Sequence, residues 1–422
     1  MKILILHRVP YARIDYARGI DHTRHDVTYF GTQPIIDTLP PDLRHEAVVR
    51  PGEHSAYDEA RAWLGAQPRR FDRILSLSEY ELLDAARLRE WLGVEGPSVD
   101  AVQCVRDKVR MKHKAEQAGL RVPRYLRLPE WLDNPGAARW SGRTVLKPHS
   151  GASSEDVVVF ADPQAALRAV QARASGAVRL DRGELDAQAY QVEEFVDGDV
   201  LHFDGLIADG RLATVTASRY VGTCLGFAQG KPLGSCHFPL TPALREWTSR
   251  ALAAVGIRHG SFHLEAIETP AGPVFLEVGN RVGGADVVAT FELATGVHLP
   301  SEELRILTGE PPSHALPDTQ TQAAWHGWFV FPGHAGGPGT YRGIDGIDAF
   351  RRDPVVRRWA ELTPGTTLQQ RITYSAHEAP LAGIVACVDA VETDAWLRGL
   401  FDAARTAPAV AASVAASVAH AA

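Results

Sequence analysis

Short apolar runs alternate with amphipathic segments over the first hundred residues. Three of these runs predict strands, at residues 2–7, 26–31 and 73–77. A helix is predicted from about Glu79 to Leu92, where Gly93 provides a C-terminal cap. Strands that alternate with helices are typical of a parallel sheet with helices on its faces. The turn after the first strand, residues 7–10, contains no glycine, so a dinucleotide-binding fingerprint is absent from the place it requires.

The later part of the chain has a more mixed pattern. Strands are predicted at residues 144–147, 157–160, 190–195 and 200–207, and a hairpin is predicted at 261–278. Helices are predicted at residues 106–118, 163–175 and 240–255. The Pro-rich stretch from Pro311 to Pro317 indicates a linker, which short strands and a final helix follow. The low-complexity segment after Pro408 is assigned no function.

Length and charge narrow the possible classes of protein. A chain of 422 residues is too long for one ordinary hydrophobic core, so about two to four domains are expected. The 45% hydrophobic and 23% charged content is that of an ordinary globular protein. The formal net charge of −7 argues against a nucleic-acid partner, which requires a basic face.

The compartment is predicted from cysteine usage and from the apolar runs. The cysteines have no CxxC pairing, which indicates free thiols in a reducing compartment; they are Cys104, Cys224, Cys236 and Cys387. The apolar run near Met1 is too short for a signal peptide, and no run approaches the roughly 20 apolar residues of a membrane span. We therefore expect a soluble, cytoplasmic protein without a membrane partner.

Two glutamates in the predicted hairpin are the most informative residues. Glu265 and Glu277 are symmetric about Ala271, so a loop of three or five residues would place them directly opposite, with Cβ atoms about 4.5–5.5 Å apart. A loop of two or four residues would break this opposition. Facing carboxylates are unfavourable without a cation, and Mg²⁺ takes one or two carboxylates together with phosphates and water. The alternative is a hairpin with two solvated acids on its exposed face.

The residues after the second strand of the hairpin suit the same site. Asn280 can supply a third oxygen ligand, and Arg281 can place a fixed positive charge near a bound phosphate. The paired glycines Gly283 and Gly284 allow the backbone to approach a ligand closely.

Two lysines upstream are candidates for phosphate contacts. Lys147 ends a predicted strand and precedes a loop of small residues, 150–154, whose N–H groups can lie against phosphates. Lys108 lies at the head of a predicted helix, where the alternative is one charge among several on a solvated helix face. The loop is not a Walker motif. The nearest match to one, residues 226–231, has the wrong spacing and lacks the Ser or Thr that would bind magnesium.

The strand at 190–195 ends in acids and a glycine turn. A carboxylate and exposed backbone groups at a strand end can bind an adenine amino group and ribose hydroxyls. The alternative is a polar strand end before a turn.

The order of these motifs resembles the ATP-grasp superfamily over about residues 100–310. The motifs that carry the resemblance are Asp107-Lys108 to Pro123, Leu146-Lys147-Pro148, Val192 to Gly198, His263-Leu264-Glu265, and Leu276 to Gly284. The pattern is most similar to the L-amino acid ligases and related carboxylate–amine ligases. This resemblance implies a fold of the α/β and α+β classes. Its parts are an N-terminal parallel α/β domain (1–103), a two-part ATP-grasp core (104–190 and 191–310) and a C-terminal β-rich module (318–422).

The resemblance also implies roles for individual residues, with ATP between the two parts of the core. The implied ATP-binding residues are Lys108, Lys147, Ser153, Glu193, Glu194, Phe195, Val196 and Asp199. The two lysines would contact phosphates, Glu193 and the backbone of 195–196 would hold adenine, and Asp199 would hold the ribose. Glu265, Glu277 and Asn280 would bind Mg²⁺, with Mn²⁺ as an alternative. Arg281 would stabilise the acyl phosphate and the tetrahedral intermediate.

Two departures from the superfamily pattern are visible. The loop carries Glu155 and Asp156 where a further glycine is usual, and these acids disfavour its closure over phosphates. Asn280 follows Glu277 by three positions instead of the more familiar two.

The implied reaction is ADP-forming ligation of a carboxylate to an amine through an acyl phosphate, with amino acids or small acids as substrates. The substrate site is predicted to include the polar stretch 218–237 and the residues His202, Asp204, Ser218, Arg219, His263 and Gly284. His202, Asp204 and His263 could instead form a zinc site, although no tight His/Cys spacing supports one. The stretch could also be an ordinary surface loop.

Two other functions and the oligomeric state are left open by the sequence. One alternative is an ATP-grasp ligase that acts on a nucleotide or an acid of central metabolism. The other is a non-catalytic nucleotide-binding protein with a decayed site, for which the acidic loop around Asp156 is the best support. A homodimer is one alternative for the assembly, because dimers are common among similar proteins.

Overall fold

The computed structural model describes residues 1–151, 153–313 and 324–406. Three predicted features lie partly or wholly outside these residues. They are Ala152 of the small-residue loop, the linker beyond Ser313, and the low-complexity tail after Pro408. Among the described helices, none is both long enough and apolar enough to cross a membrane.

The N-terminal domain is a four-stranded parallel sheet with strand order β3-β2-β1-β4, as the alternating pattern predicts. Its strands are β1 (Lys2–Leu6), β2 (Asp26–Gly31), β3 (Glu46–Val49) and β4 (Arg73–Leu75). Its helices are α1 (Tyr16–Gly19), α2 (Gln33–Ile36), α3 (Ala56–Ala66), α4 (Leu82–Leu92) and α5 (Val99–Cys104). Both faces of β1 are covered, since Ile3 and Ile5 pack on one side of the sheet and Leu4 and Leu6 on the other.

The second sheet is antiparallel and has the order β5-β8-β6-β7. Its strands are β5 (Tyr125–Arg127), β6 (Thr144–Pro148), β7 (Val158–Phe160) and β8 (Tyr190–Glu194). The helices of this region are α6 (Lys108–Gln117), α7 (Leu128–Asp133), α8 (Pro163–Gln171) and α9 (Val178–Asp181). Because β8 pairs with β5 and β6, this unit extends to Glu194, beyond the predicted boundary at 190.

The third sheet has eight antiparallel strands in the order β13-β12-β9-β10-β11-β14-β17-β16. These strands are β9 (Val200–Ala208), β10 (Arg211–Val221), β11 (Leu233–Phe238), β12 (Gly260–Ile267), β13 (Val274–Gly279), β14 (Trp325–Val330), β16 (Val356–Glu361) and β17 (Leu381–Cys387). The strands β15 (Ile344–Asp345) and β18 (Arg405–Thr406) form a separate pair. The predicted C-terminal module is therefore not a separate sheet, because β14 continues the large sheet from β11.

Helices cover this large sheet. They are α10 (Cys224–Ala228), α11 (Pro242–Val255), α12 (Val287–Thr295), α13 (Leu299–Thr308), α14 (Asp348–Arg351) and α15 (Ala390–Ala403). The largest core cluster lies under β9, β12 and β13, where α11 meets Met111 and Ala115 of α6. This packing fixes α6 beside β13 and brings the head of α6 to the predicted metal site.

Candidate active site

Glu265 of β12 pairs directly with Glu277 of β13, so the predicted opposition of the two acids is confirmed. The predicted reason for it is wrong. The connecting loop is residues 268–273, an even number that would break the opposition in a regular ladder. Leu276 is the extra residue of a bulge, since Ala266 pairs with Phe275 and Glu265 with Glu277. The bulge lets Phe275 enter the core while Glu277 faces the opposite side.

Lys108 and Lys147 both lie near this acidic pair. The Nζ atom of Lys108 is 3.2 Å from Oε2 of Glu277 and donates to the carbonyl of Gly151 at 2.9 Å. Lys108 is buried, so the alternative of a solvated helix face is wrong for it. Burial disfavours the charge of Lys147, but the glutamates Glu193, Glu277 and Glu265 outweigh it and raise the pKa of this lysine.

Glu193 lies between two buried lysines. Its Oε1 atom is 2.6 Å from Nζ of Lys147, and its Oε2 atom accepts a hydrogen bond from Lys112. Burial opposes its charge, yet the two lysines outweigh burial and lower the pKa of the carboxyl. Lys112 was not among the predicted site residues, although its side chain is fully buried against Glu193. Its position one helical turn after Lys108 was the available signal.

Not all of the residues that were predicted to bind adenine and ribose face the same site as Glu193. Glu194 faces away from Glu193 and forms hydrogen bonds with Arg124, so its side chain does not belong to the site. The N–H group of Phe195 donates to the carbonyl of Arg143 at 2.9 Å and is not available to adenine. Val196 lies two residues beyond the end of β8 and is half-buried. Asp199 is exposed and lies 3.5 Å from Arg219.

The small-residue loop has a strained backbone, and Asp156 behind it is turned inward while Glu155 is exposed. Ser153, Ser154 and Asp156 have positive φ angles of 62°, 55° and 55°, which non-glycine residues rarely adopt. The carboxylate of Asp156 accepts from Arg179 at 2.5 Å and from the hydroxyl of Tyr190 at 3.0 Å. The charge of Asp156 is therefore paired with Arg179 of α9 and does not face the site.

Arg281 contacts the N-terminal domain. Its Nε atom donates to Glu79, whose other oxygen accepts from Arg106. Burial lowers the pKa of Arg106 to about 10, and the neighbouring Arg281 adds to this effect. Helix α4 begins at Leu82 instead of the predicted Glu79, so Glu79 stays in the preceding loop, where it reaches both arginines. A Cβ atom at Gly279 would lie 3.3 Å from Cγ of Arg281, so a larger residue there would press on this arginine.

The structure does not direct Asn280 to the acidic pair. Its amide nitrogen donates to the carbonyls of His259 at 3.1 Å and Ser261 at 2.7 Å. Asn280 lies one residue beyond the end of β13, and these two contacts hold its side chain at the start of β12, away from Glu277. We therefore correct the prediction of Asn280 as a metal ligand.

Two histidines and an aspartate form a buried network behind Glu265. Nδ1 of His202 is 2.5 Å from Asp204, and Nδ1 of His263 is 2.7 Å from the other oxygen of Asp204. Burial disfavours charge on His263, but Asp204 and Glu265 outweigh it and raise its pKa to about 9. The possible ligand atoms of the three residues lie within 4.8 Å of one another. A zinc ion there would have to replace both hydrogen bonds to Asp204, so we retain the hydrogen-bonded interpretation.

Tyr220, which lies in the predicted polar stretch without an individual role, connects this network to the acidic pair. Its hydroxyl donates to Oε1 of Glu265 at 2.8 Å. The predicted polar stretch 218–237 contains the end of β10, helix α10 and most of β11. Within the sheet, Ser218 pairs with His237 of β11 on one side and with His202 of β9 on the other. Arg219 projects to the other face and forms an ion pair with Glu268 at 2.5 Å, so it does not join Ser218.

Gly283 and Gly284 differ in the space around their Cα atoms. A Cβ atom at Gly283 would lie 2.8 Å from Oδ1 of Asp204 and 2.9 Å from Nδ1 of His263, so the backbone covers the network closely. A Cβ atom at Gly284 would meet no described atom within 4 Å. Gly284 thus has the open surroundings that a substrate would need.

The chain is similar to curated proteins over part of its length. No protein-family model matches it. An L-arginine-specific L-amino acid ligase of Bacillus subtilis is 26% identical over 250 residues, which are 58% of this chain and 59% of that protein. Dapdiamide A synthase of Enterobacter agglomerans is 29% identical over 173 residues, which are 38% of this chain and 37% of that protein. The similarity thus spans less than two thirds of each curated relative.

A solved structure matches over nearly the full length. The L-amino acid ligase from Bacillus licheniformis has a TM-score of 0.69 and 20% identity, and the match covers 96% of this chain and 98% of that one. At this identity the likeness shows a common fold.

Proposed function

Because the chain belongs to the ATP-grasp superfamily, we propose that it is an ATP- and magnesium-dependent carboxylate–amine ligase. It forms an amide or peptide bond through an acyl phosphate and releases ADP and phosphate. The observation that carries the proposal is the direct opposition of Glu265 and Glu277, with Lys108 at 3.2 Å from Glu277. The names of the curated relatives favour amino acids or small carboxylic acids as substrates.

The donor set fits magnesium. Two carboxylates face each other across a ladder, a position that is unfavourable for like charges without a cation between them. Glu265 and Glu277 would hold the ion, which neutralises phosphate charge during transfer. Tyr220 and the His263–Asp204 pair orient Glu265 by hydrogen bonding from the side of the sheet.

The lysines and Arg281 supply the remaining positive charge. Lys108 and Lys147 bind the phosphates, and Lys108 is tied to the small-residue loop through the carbonyl of Gly151. Arg281 stabilises the negative charge that develops on the acyl group, first during phosphoryl transfer and then during attack by the amine. Positioning and electrostatics account for the rate, so no covalent nucleophile of the protein takes part.

A non-catalytic role is less well supported. Its best sequence support was the acidic loop, and the charge of Asp156 is instead paired with Arg179. The two facing glutamates and Arg281 are also retained. A cytoplasmic location and a homodimer stay predictions.

The proposal is tested by incubating the full chain with Mg·ATP and a matrix of amino acid pairs and small carboxylic acids. Phosphate release is measured together with the mass of the product, and the Glu277→Gln variant serves as the inactive control. We expect release for at least one pair, with a product of the mass of the condensed pair. Turnover only with nucleotides or acids of central metabolism would support the other class of ligase. ATP binding without turnover for any pair would support a non-catalytic protein.

A further inference from the structure

The fully buried Lys112 lies beside the proposed ATP site and has no role in the mechanism given above. It donates to Glu193 and lies 3.3 Å from Oε1 of Gln191 and 5.3 Å from the centre of the Tyr125 ring. Burial lowers its pKa to about 8, and the charge of Glu193 opposes this effect. Each oxygen of Glu193 therefore has its own lysine, Lys147 on one side and Lys112 on the other.

This arrangement has a consequence for the binding of nucleotide. Lys147 is 2.6 Å from Glu193. Under the proposed function it would turn from this carboxylate to a phosphate when ATP binds. A carboxylate that is only 3% exposed and has lost its cation is strongly destabilised. With Lys112 present, Glu193 keeps one cation throughout the exchange.

We propose that Lys112 is a positioning residue, which remains paired with Glu193 and thereby releases Lys147 to bind the phosphates of the nucleotide. The inference rests on the proposed function, because it requires a nucleotide phosphate at Lys147. Lys112 itself does not touch the nucleotide. Its contribution passes through the charge of Glu193.

A double-mutant cycle distinguishes this role from simple attraction of phosphate by a nearby charge. Isothermal titration of the full chain with Mg·ADP gives the dissociation constant for wild type, Lys112→Met, Glu193→Gln and the double variant. Lys114→Met is the matched control, since Lys114 lies on the same helix and is exposed.

We expect Lys112→Met to raise the dissociation constant about tenfold or more in the wild-type background, because Glu193 then retains Lys147. In the Glu193→Gln background, Lys112→Met should change the dissociation constant by less than about threefold, because no buried carboxylate remains to be paired. Lys114→Met should leave it unchanged.

An equal loss of affinity in both backgrounds, or no loss in the wild-type background, overturns the inference. If circular dichroism shows that Lys112→Met does not fold, the dissociation constants of Glu193→Gln and of the double variant are compared instead. A dissociation constant about tenfold higher in the double variant overturns the inference. Wild-type protein that does not bind Mg·ADP would instead contradict the proposed function, and the inference with it.

Discussion

At the scale of single residues, Glu265 and Glu277 face each other only because Leu276 bulges out of β13. The spacing of the two acids in the sequence predicted their proximity. The length of the loop and the bulge could not be predicted, because both depend on Phe275 entering a core built from distant strands.

The first prediction concerns the roles of Glu277 and Arg281. Replacing either by alanine should lower turnover by about 10²-fold or more, as for other lost contacts to transition-state charge. ADP release with the best substrate pair is the measurement. Glu268→Ala is the control, since Glu268 belongs to the same hairpin and pairs with Arg219 at the surface. Near-normal ADP release in both active-site variants would remove the assigned roles.

Residues that act through buried charge were the hardest to find from the sequence. Lys112 and Glu79 resemble ordinary surface charges in the sequence, and only the fold shows that each lies against a predicted site residue. Asn280 is the opposite case. Its type suited a ligand, but it lies beyond the end of β13, where its hydrogen bonds hold its side chain at the start of β12, away from Glu277.

The second prediction concerns the two neighbouring glycines. Gly283→Ala should destabilise the protein by about 1–3 kcal/mol, because the added methyl group meets Asp204, His263 and Val287 at 2.8–2.9 Å. Gly284→Ala is the matched control, with open space around the added atom. Thermal unfolding monitored by circular dichroism compares the two variants. Equal melting temperatures would show that the network behind Glu265 tolerates displacement.

At the scale of elements, only the helices α4, α6 and α8 were predicted among the described α-helices of the first two hundred residues, whereas most of the strands there were predicted. The strands β10 and β11 were not, because buried polar residues such as Ser218 and His237 made them resemble a loop. The strand β3 was also missed, since it lies at a sheet edge and is largely exposed. Helix α3 was overlooked although Ser55 caps it by accepting from the N–H group of Asp58.

The third prediction concerns pH and the start of helix α3. Glu59 accepts from Arg50 at 2.8 Å and from the N–H groups of residues 52–54 at 2.8–3.1 Å. Burial disfavours its charge, yet these donors outweigh burial and lower its pKa to about 2. Because the pKa is lower in the folded state, the ionised Glu59 stabilises the folded protein at pH values above its unfolded pKa of 4.5. This stabilisation is lost as the pH falls towards 2.

Glu59→Gln should therefore lower the urea concentration at which the N-terminal domain unfolds at pH 7. The free energy of unfolding should fall by about 3 kcal/mol. The difference from wild type should shrink progressively below pH 4.5. A difference that stays constant down to pH 3 would show that the charge of Glu59 is not its source.

At the scale of the whole molecule, three sheets surround the proposed ATP site. The sequence predicted their order along the chain but not that β14, β16 and β17 complete the sheet begun by β9. Pairing between strands as distant as β11 and β14 leaves no local trace in composition or periodicity.

The fourth prediction concerns the contact between the N-terminal domain and Arg281. Glu79→Gln removes the charge that holds Arg281 and Arg106 together, so kcat should fall about tenfold while KM for ATP changes little. Glu95→Gln is the control, since Glu95 lies exposed on the same domain. A change in KM for ATP alone would contradict a role for Glu79 in orienting Arg281.

The most direct test of the account is a crystal structure of the full chain with a non-hydrolysable ATP analogue and Mn²⁺, with anomalous scattering to locate the metal. We predict metal within about 2.0–2.3 Å of oxygens of both Glu265 and Glu277, with phosphate oxygens in contact with Lys108 and Lys147. Metal bound away from the two glutamates, or phosphates distant from both lysines, would contradict the proposed chemistry.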